Sequence, residues 1–111
     1  MEVNDYEDLS IIRAEGEIDH WRATELEQKI DDAIRGSEND VIVDFSDLTY
    51  IDSGGISVLF VQLKKLIEKE RRMIVVTENK NIIKILRLVN IINQKNFELK
   101  PNLEQAKRII N

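Results

Sequence analysis

The sequence contains no cysteine, and this absence excludes a disulfide framework, a thiolate metal site and a cysteine nucleophile. No apolar run approaches the roughly 20 residues that a membrane-spanning helix needs. The opening segment, MEVNDYEDLS, is acidic and polar, which is unlike a signal peptide. We therefore expect a cytoplasmic protein that does not enter a membrane.

Proline is nearly absent and acidic residues outnumber basic ones. The single proline, Pro101, stands near the end, and no linker-like stretch divides the chain, so we expect residues 1–111 to form one domain. A formal net charge of −5 disfavours nonspecific binding to nucleic acid or to anionic lipid. Hydrophobic residues make up 42% of the chain and charged residues 33%, which is typical of a globular fold rather than a disordered one.

Extended segments alternate with helical ones along the sequence. A turn is expected at residues 5–8, and apolar residues that recur every three or four positions predict a first helix ending at Gly36. A second helix is expected to follow YIDSGG. A third is expected at residues 81–90, with most of its side chains in the core, and a fourth is expected to close the chain. The predicted strands cover residues 2–4, 9–14, 41–45, 73–76 and 97–99. The order ββαβαβαβα predicts an α/β fold with a mixed, mainly parallel sheet and helices packed against it.

The segment YIDSGG, residues 50–55, lies at a predicted junction from strand to helix, where parallel sheets gather their functional residues. Two of the 4 glycines stand here, directly after Asp52 and Ser53. Ser53 is predicted to be the N-cap of the second helix, and the glycines leave its backbone open to close approach. An exposed hydroxyl at the positive end of a helix suits a phosphate, although a plain helix cap is the commoner role for such a serine.

Catalytic, metal and nucleotide-binding chemistry have little support in the sequence. His20 is the only histidine, and no G-x-S-x-G elbow accompanies Ser53. One histidine among scattered carboxylates lacks the spacing of metal ligands, and no Walker or G-x-G-x-x-G motif occurs. We therefore expect a binding protein that is not an enzyme and that uses no metal or cofactor.

Three segments of the sequence together resemble a STAS domain. They are GEIDHWRATELEQKI (16–30), VIVDFSDLTYIDSGGISVL (41–59) and RRMIVV (71–76). More narrowly, the G-E-[IL]-D and D-S-x-G motifs resemble the bacterial anti-anti-sigma factors, also called anti-sigma factor antagonists. The resemblance covers nearly the whole chain in order, and the two motifs together are fairly specific.

The resemblance implies a partner-switching function. In that family the unphosphorylated antagonist binds an anti-sigma factor that is also an ATP-binding serine kinase, and the sigma factor is released. Phosphorylation of the motif serine breaks the complex, and a phosphatase resets it. The resemblance therefore implies such a kinase and a phosphatase as partners, and we expect a monomer when the protein is free.

The family motif places the phosphorylated serine at Ser53. Gly54 stands where many members have a second serine or threonine, which sharpens this assignment, and Ser57 stands where a glycine is common. The implied partner-binding residues are Asp19, His20, Asp52, Ser53, Gly54, Gly55, Ile56 and Val58.

Several roles remain open from the sequence. Val58 and Val61 either pack beneath a neighbouring element or form an apolar patch for the partner. Trp21 either fixes the loop before the first helix or stands exposed as an interface anchor, and Asp19 either caps that helix or meets the partner. A solvated end of the second helix is predicted for Lys64, Lys65, Lys69, Arg71 and Arg72.

Two alternative functions make different demands on the sequence. A STAS module that serves as an unswitched scaffold or ligand sensor would share the fold without responding to a kinase. A phosphorelay receiver is disfavoured because Asp44 lies inside a predicted strand and the order of elements differs.

Overall fold

The computed structural model describes the backbone of residues 2–6 and 9–109 and the side chains of residues 11–109. The elements are β1 (Glu2–Tyr6), β2 (Leu9–Ile18), α1 (His20–Gly36), β3 (Val41–Ile51), α2 (Ser53–Glu68), β4 (Met73–Val76), α3 (Lys80–Leu88), β5 (Phe97–Lys100) and α4 (Leu103–Arg108). This order is the predicted ββαβαβαβα. Of the turn expected at residues 5–8, Asp5 and Tyr6 lie in β1, and residues 7 and 8 lie outside the described residues.

The five strands form one sheet in the order β1-β2-β3-β4-β5. β1 is antiparallel to β2, and the other neighbouring strands are parallel. Each of the helices α1, α2 and α3 connects two neighbouring parallel strands, as such connections require. The mixed, mainly parallel sheet predicted from the sequence is confirmed.

Apolar side chains cover both faces of the sheet. Successive residues of a strand point to opposite faces, so Val41 and Val43 lie on one face of β3 while Ile42 lies on the other. The first face packs against α1, α2 and α3 in the larger hydrophobic cluster. The second face forms a smaller cluster in which Ile42 and Ile74 meet Ala106 of α4.

β2 and β3 extend further than predicted and end side by side. β3 continues past Phe45 through several exposed polar residues to Ile51, which pairs with Ile18 at the end of β2. Two register shifts interrupt the pairing on either side of Gly16, whose φ of +75° suits glycine. The loops that follow Ile18 and Ile51 are therefore neighbours at one edge of the sheet.

Two further predictions are corrected by burial. α3 is less buried than expected, since Leu88 is 74% exposed and only Ile82 and Leu86 of its residues are buried. Arg71 does not belong to a solvated helix end, because it is 6% exposed and its Nη1 donates to the carbonyl oxygen of Ile34 at 2.8 Å. Burial lowers the pKa of the Arg71 guanidinium. None of the helices among the described residues is long and apolar enough to cross a membrane.

Candidate functional site

The N-terminus of α2 is capped by Asp52. The Asp52 Oδ1 atom accepts a hydrogen bond from the backbone N–H of Gly55 at 3.1 Å, and its carbonyl oxygen accepts one from Ile56 at 3.0 Å. The prediction that Ser53 is the N-cap is therefore wrong, because the carboxylate one residue earlier takes that position. Ser53 is the first residue of the helix and is exposed to solvent, as predicted.

The two glycines after Ser53 have different environments. A Cβ atom at Gly55 would lie 2.6 Å from Cγ1 of Ile51 and 3.0 Å from Cγ2 of Ile18, which is closer than side chains pack. A Cβ at Gly54 would meet Oδ1 of Asp52 at 3.2 Å, a tight contact that a small shift relieves. The close approach predicted from the glycines therefore occurs at Gly55, whose backbone packs against Ile51 and Ile18 of the core. Because Gly55 has no side chain, α2 can begin directly against the ends of β2 and β3.

The N-terminus of α1 is capped in a similar way by Asp19. The Asp19 Oδ1 atom accepts hydrogen bonds from the backbone N–H groups of Trp21 at 3.1 Å and Arg22 at 3.0 Å. The structure thus gives Asp19 the capping role that the sequence left open. Asp19 is also exposed, so it is accessible to a partner, and that contact stays a prediction.

The loop that carries Asp19 adjoins the turn that carries Ser53. The backbone N–H of Asp52 donates to the carbonyl oxygen of Ile18 at 3.0 Å. A Cβ at Gly54 would lie 3.8 Å from the Cα of His20. The expectation that the two loops lie close together is confirmed.

Arg22 holds the first of these loops against β2. Its Nη1 donates to the carbonyl oxygens of Glu15 at 2.8 Å and Glu17 at 2.6 Å, on either side of Gly16. This role could not be predicted from the sequence, in which Gly16 of the motif is its one signal. Because both carbonyls belong to the strand that leads to Asp19, the arginine fixes where the loop begins.

α1 and α2 are joined further along by Asp31. Its Oδ1 accepts hydrogen bonds from Nε2 of Gln62 at 3.0 Å and from Nζ of Lys65 at 2.9 Å. Burial raises the pKa of Asp31, but the hydrogen bonds from Lys65 and Gln62 and the charge of Lys65 outweigh it, so the pKa lies below the ordinary value. These contacts set the two helices side by side, with both N-termini at the edge that carries Ser53.

The surface around Ser53 is acidic and carries exposed rings. Glu17 and Asp19 are exposed and Asp52 is half-buried. The side chain of Trp21 is 83% exposed, and its ring meets that of His20 edge-on with the ring centres 5.8 Å apart. Trp21 therefore does not fix the loop by burial, and of its two open roles the exposed one is the one observed.

Three of the predicted partner-binding residues are not at the surface. Gly55 is buried, and Ile56 and Val58 are each 8% exposed within the larger hydrophobic cluster. The patch alternative is therefore wrong for Val58, whereas Val61 is 45% exposed. Among the described residues, no group of three or more histidine or acidic side chains could hold a metal ion.

The protein is thus a small α/β domain in which a serine begins a helix beside the ends of two parallel strands. Residues 1–106 match the STAS domain, and the chain belongs to the STAS domain family. The family and the fold predicted from the sequence are thus confirmed.

Solved structures with this fold include anti-sigma factor antagonists. One from Mycobacterium paratuberculosis is 27% identical, with a TM-score of 0.86 over 97% of this chain and 90% of that chain. The Bacillus cell fate determinant SpoIIAA in its phosphorylated form is 20% identical, with a TM-score of 0.74 over 97% of both chains. The unphosphorylated form of the anti-sigma factor antagonist SpoIIAA is 19% identical, with a TM-score of 0.74 over 97% of this chain and 94% of that one.

Proposed function

We propose that the protein is an anti-sigma factor antagonist that phosphorylation of Ser53 switches off. The unphosphorylated form binds an anti-sigma factor that is also an ATP-dependent serine kinase, and the sigma factor is released. The kinase phosphorylates Ser53 and ends the binding, and a phosphatase restores it. The protein acts by binding rather than by catalysis, in the cytoplasm, as one domain that is monomeric when free. The observation that carries this proposal is the exposed Ser53 at the first position of α2 in a STAS fold.

The surroundings of the other serine and threonine residues of β3 and α2 support Ser53 as the acceptor. Ser46 Oγ donates to Asp44 Oδ1 at 2.5 Å, and Thr49 Oγ1 donates to the carbonyl oxygen of Gly16 at 2.9 Å, so both hydroxyls are engaged within the fold. Gly54 has no hydroxyl to offer. Ser57 is exposed but lies one turn into the helix, where a kinase would have to reach past the first turn.

The expected effect of the phosphate on the fold is small. It adds about 1.5 to 2 negative charges at neutral pH. The N-terminus of α2 offsets part of that by about 0.3–1 kcal/mol, and the carboxylate of Asp52 opposes it. Because Ser53 is exposed, water solvates the phosphate in the free protein. The Bacillus relative SpoIIAA has been solved in its phosphorylated form, which fits a fold that accepts this modification.

The expected effect of the phosphate on the complex is large. A charge that loses water at an interface without a partner costs several kcal/mol, and each 1.4 kcal/mol is a factor of ten in affinity. We expect phosphorylation to weaken binding at least a hundredfold. Ser53→Asp should reproduce part of that loss, and Ser53→Ala should bind permanently.

The experiment incubates the protein with its anti-sigma factor kinase and ATP, then maps the phosphate by mass spectrometry. Labelling should disappear in Ser53→Ala and persist in Ser57→Ala, the matched control on the next turn of the same helix. Phosphate found on Ser57, Thr49 or Ser46 would overturn the assignment. Tight binding that neither phosphorylation nor Ser53→Asp weakens would favour an unswitched STAS scaffold or ligand sensor instead.

A further inference from the structure

Trp21 is the single tryptophan of the chain, and the fold leaves it in solvent. Its side chain is 83% exposed although it is the second residue of a well-formed helix. Its neighbour His20 has its Cα atom 3.8 Å from the position of a Cβ at Gly54, so the start of the helix that carries Trp21 adjoins the turn that carries Ser53. Leu88, by contrast, is the other most exposed large apolar side chain of the described residues, at 74%, and it lies on α3.

We propose that Trp21 is the apolar anchor of the Ser53 interface, and that the anti-sigma factor receives it in an apolar pocket rimmed by basic side chains. This inference rests on the proposed function. Tryptophan is enriched among the few residues that dominate binding energy, because it buries a large ring and keeps one N–H donor. An exposed ring on the helix start that adjoins the switch residue would also bury apolar area in the same interface that the phosphate disturbs.

The backbone that carries the ring is already fixed in the free protein. The N–H of Trp21 donates to Asp19 Oδ1 at 3.1 Å, and Arg22, the next residue, ties the helix start to the carbonyl oxygens of Glu15 and Glu17. The His20 ring lies edge-on against the indole at a plane angle of 72°. A side chain presented on an ordered turn loses little further freedom on binding, which favours an anchor.

The charges around the ring indicate the chemistry of the pocket that receives it. Glu17 and Asp19 are exposed before Trp21, Glu25 is exposed one turn after it, and Asp52 is half-buried on the adjoining turn. Interfaces match opposite potentials, so the rim of the pocket should be basic. The apolar ring and the acidic rim should then contribute differently: the ring should set the dissociation rate, and the rim should set the association rate and its salt dependence.

The test measures binding of the unphosphorylated full chain to the same anti-sigma factor kinase for the wild type, Trp21→Ala, Trp21→Phe and Leu88→Ala. We expect Trp21→Ala to bind at least thirtyfold more weakly, which is the effect of a hot-spot residue, and to dissociate faster. Trp21→Phe should recover part of the loss, and Leu88→Ala should stay within about twofold of the wild type, as expected outside an interface hot spot. Urea unfolding of each variant checks that the fold is intact, since both side chains are exposed.

Tryptophan fluorescence gives an independent readout, because the chain has only 1 tryptophan. With a tryptophan-free variant of the kinase, emission should shift to shorter wavelength in the complex and return when Ser53 is phosphorylated. Wild-type affinity in Trp21→Ala with an intact Ser53 switch would overturn the anchor and leave the proposed function standing. A loss in Leu88→Ala instead would move the anchor to α3 and overturn the inference. Failure of the wild type to bind any such kinase would overturn the proposed function itself.

Discussion

Asp19 and Asp52 cap neighbouring helices from nearly the same backbone conformation. Asp19 has φ −96° and ψ −174°, and Asp52 has φ −94° and ψ −175°. Each follows the last residue of its strand, and those residues, Ile18 and Ile51, are paired across β2 and β3. Two helix N-termini therefore meet at one edge of the sheet, with their positive ends close to Ser53. The capping residues Asp19 and Asp52 are neighbours of Ser53, so mutants must be chosen to separate effects on stability from effects on the switch.

The cap at Asp19 can be separated from any partner contact by comparing two substitutions. Asp19→Ala removes the acceptor of two backbone N–H groups and should lower the free energy of unfolding by about 1 kcal/mol. Asp19→Asn keeps the acceptor and should stay within about 0.5 kcal/mol of the wild type, because asparagine caps about as well as aspartate. Urea denaturation measures both. If Asp19→Asn binds the anti-sigma factor more weakly at unchanged stability, the charge contacts the partner, whereas equal affinity assigns Asp19 to the cap alone.

Gly55→Ala should destabilise the protein even though alanine favours helices. The new Cβ would meet Cγ1 of Ile51 at 2.6 Å and Cδ1 at 2.9 Å, and overpacking of this kind costs about 1–3 kcal/mol. Gly36→Ala is the matched control, since nothing lies within 4 Å of a Cβ there. Thermal or urea unfolding should therefore place Gly55→Ala below the wild type and Gly36→Ala at or above it. A Gly55→Ala variant of wild-type stability would mean that the first turn of α2 does not rest on the strand ends.

The contribution of Asp31 to stability should be lost in acid. The folded pKa of Asp31 lies below its ordinary value of 3.8, so its contribution is fully present above about pH 4 and is lost as the pH falls through the folded pKa. Asp31→Asn cannot gain or lose this charge. The difference in unfolding free energy between the wild type and Asp31→Asn should therefore shrink below about pH 4. A difference that stays constant down to pH 2 would show that the bonds from Lys65 and Gln62 do not favour the carboxylate.

Arg22→Met should destabilise the loop before α1. Methionine keeps a similar apolar stem but loses the bonds from the guanidinium to the carbonyl oxygens of Glu15 and Glu17, at a cost of about 1–3 kcal/mol. Arg35→Met is the control, because Arg35 makes an exposed pair with Asp32, and such a pair contributes about 0.2–1 kcal/mol. Equal urea midpoints for the two variants would contradict the holding role of Arg22.

The sequence predicted the architecture well because each buried element carries its own periodicity. The β-branched runs at β3 and β4 and the apolar stripe of α1 are local signals, and the order of elements follows from them. The end of β3 is different. Both aspartate and serine commonly cap helices, so the sequence alone does not choose between Asp52 and Ser53. The choice depends on where β3 stops pairing with β2, and that point is set by the pairing of Ile18 with Ile51, more than 30 residues apart in the sequence.

Site residues within a sequence motif were predictable, whereas residues whose exposure depends on tertiary packing were not. Ser53 and its exposure followed from the D-S-x-G motif and the junction from strand to helix. Val58 and Val61 could not be told apart, because the packing around α2 determines which of them is covered. The prediction for Arg71 is wrong for the same reason, since the carbonyl oxygens that bind its guanidinium belong to Ile34 and Asn39, far away in the sequence.

The short helix α4 gives the molecule a weak point that is remote from the larger cluster. It has 6 residues, and with Ala106 and its neighbours Leu103 and Ile109 it covers the face of the sheet that carries Ile42 and Ile74. Few apolar contacts hold such a segment, so it should open in a local fluctuation while α1, α2 and α3 stay in place. Backbone amides of α4 should therefore exchange with solvent far faster than those of β3 and β4. The sheet would keep its Ser53 edge intact through each such opening.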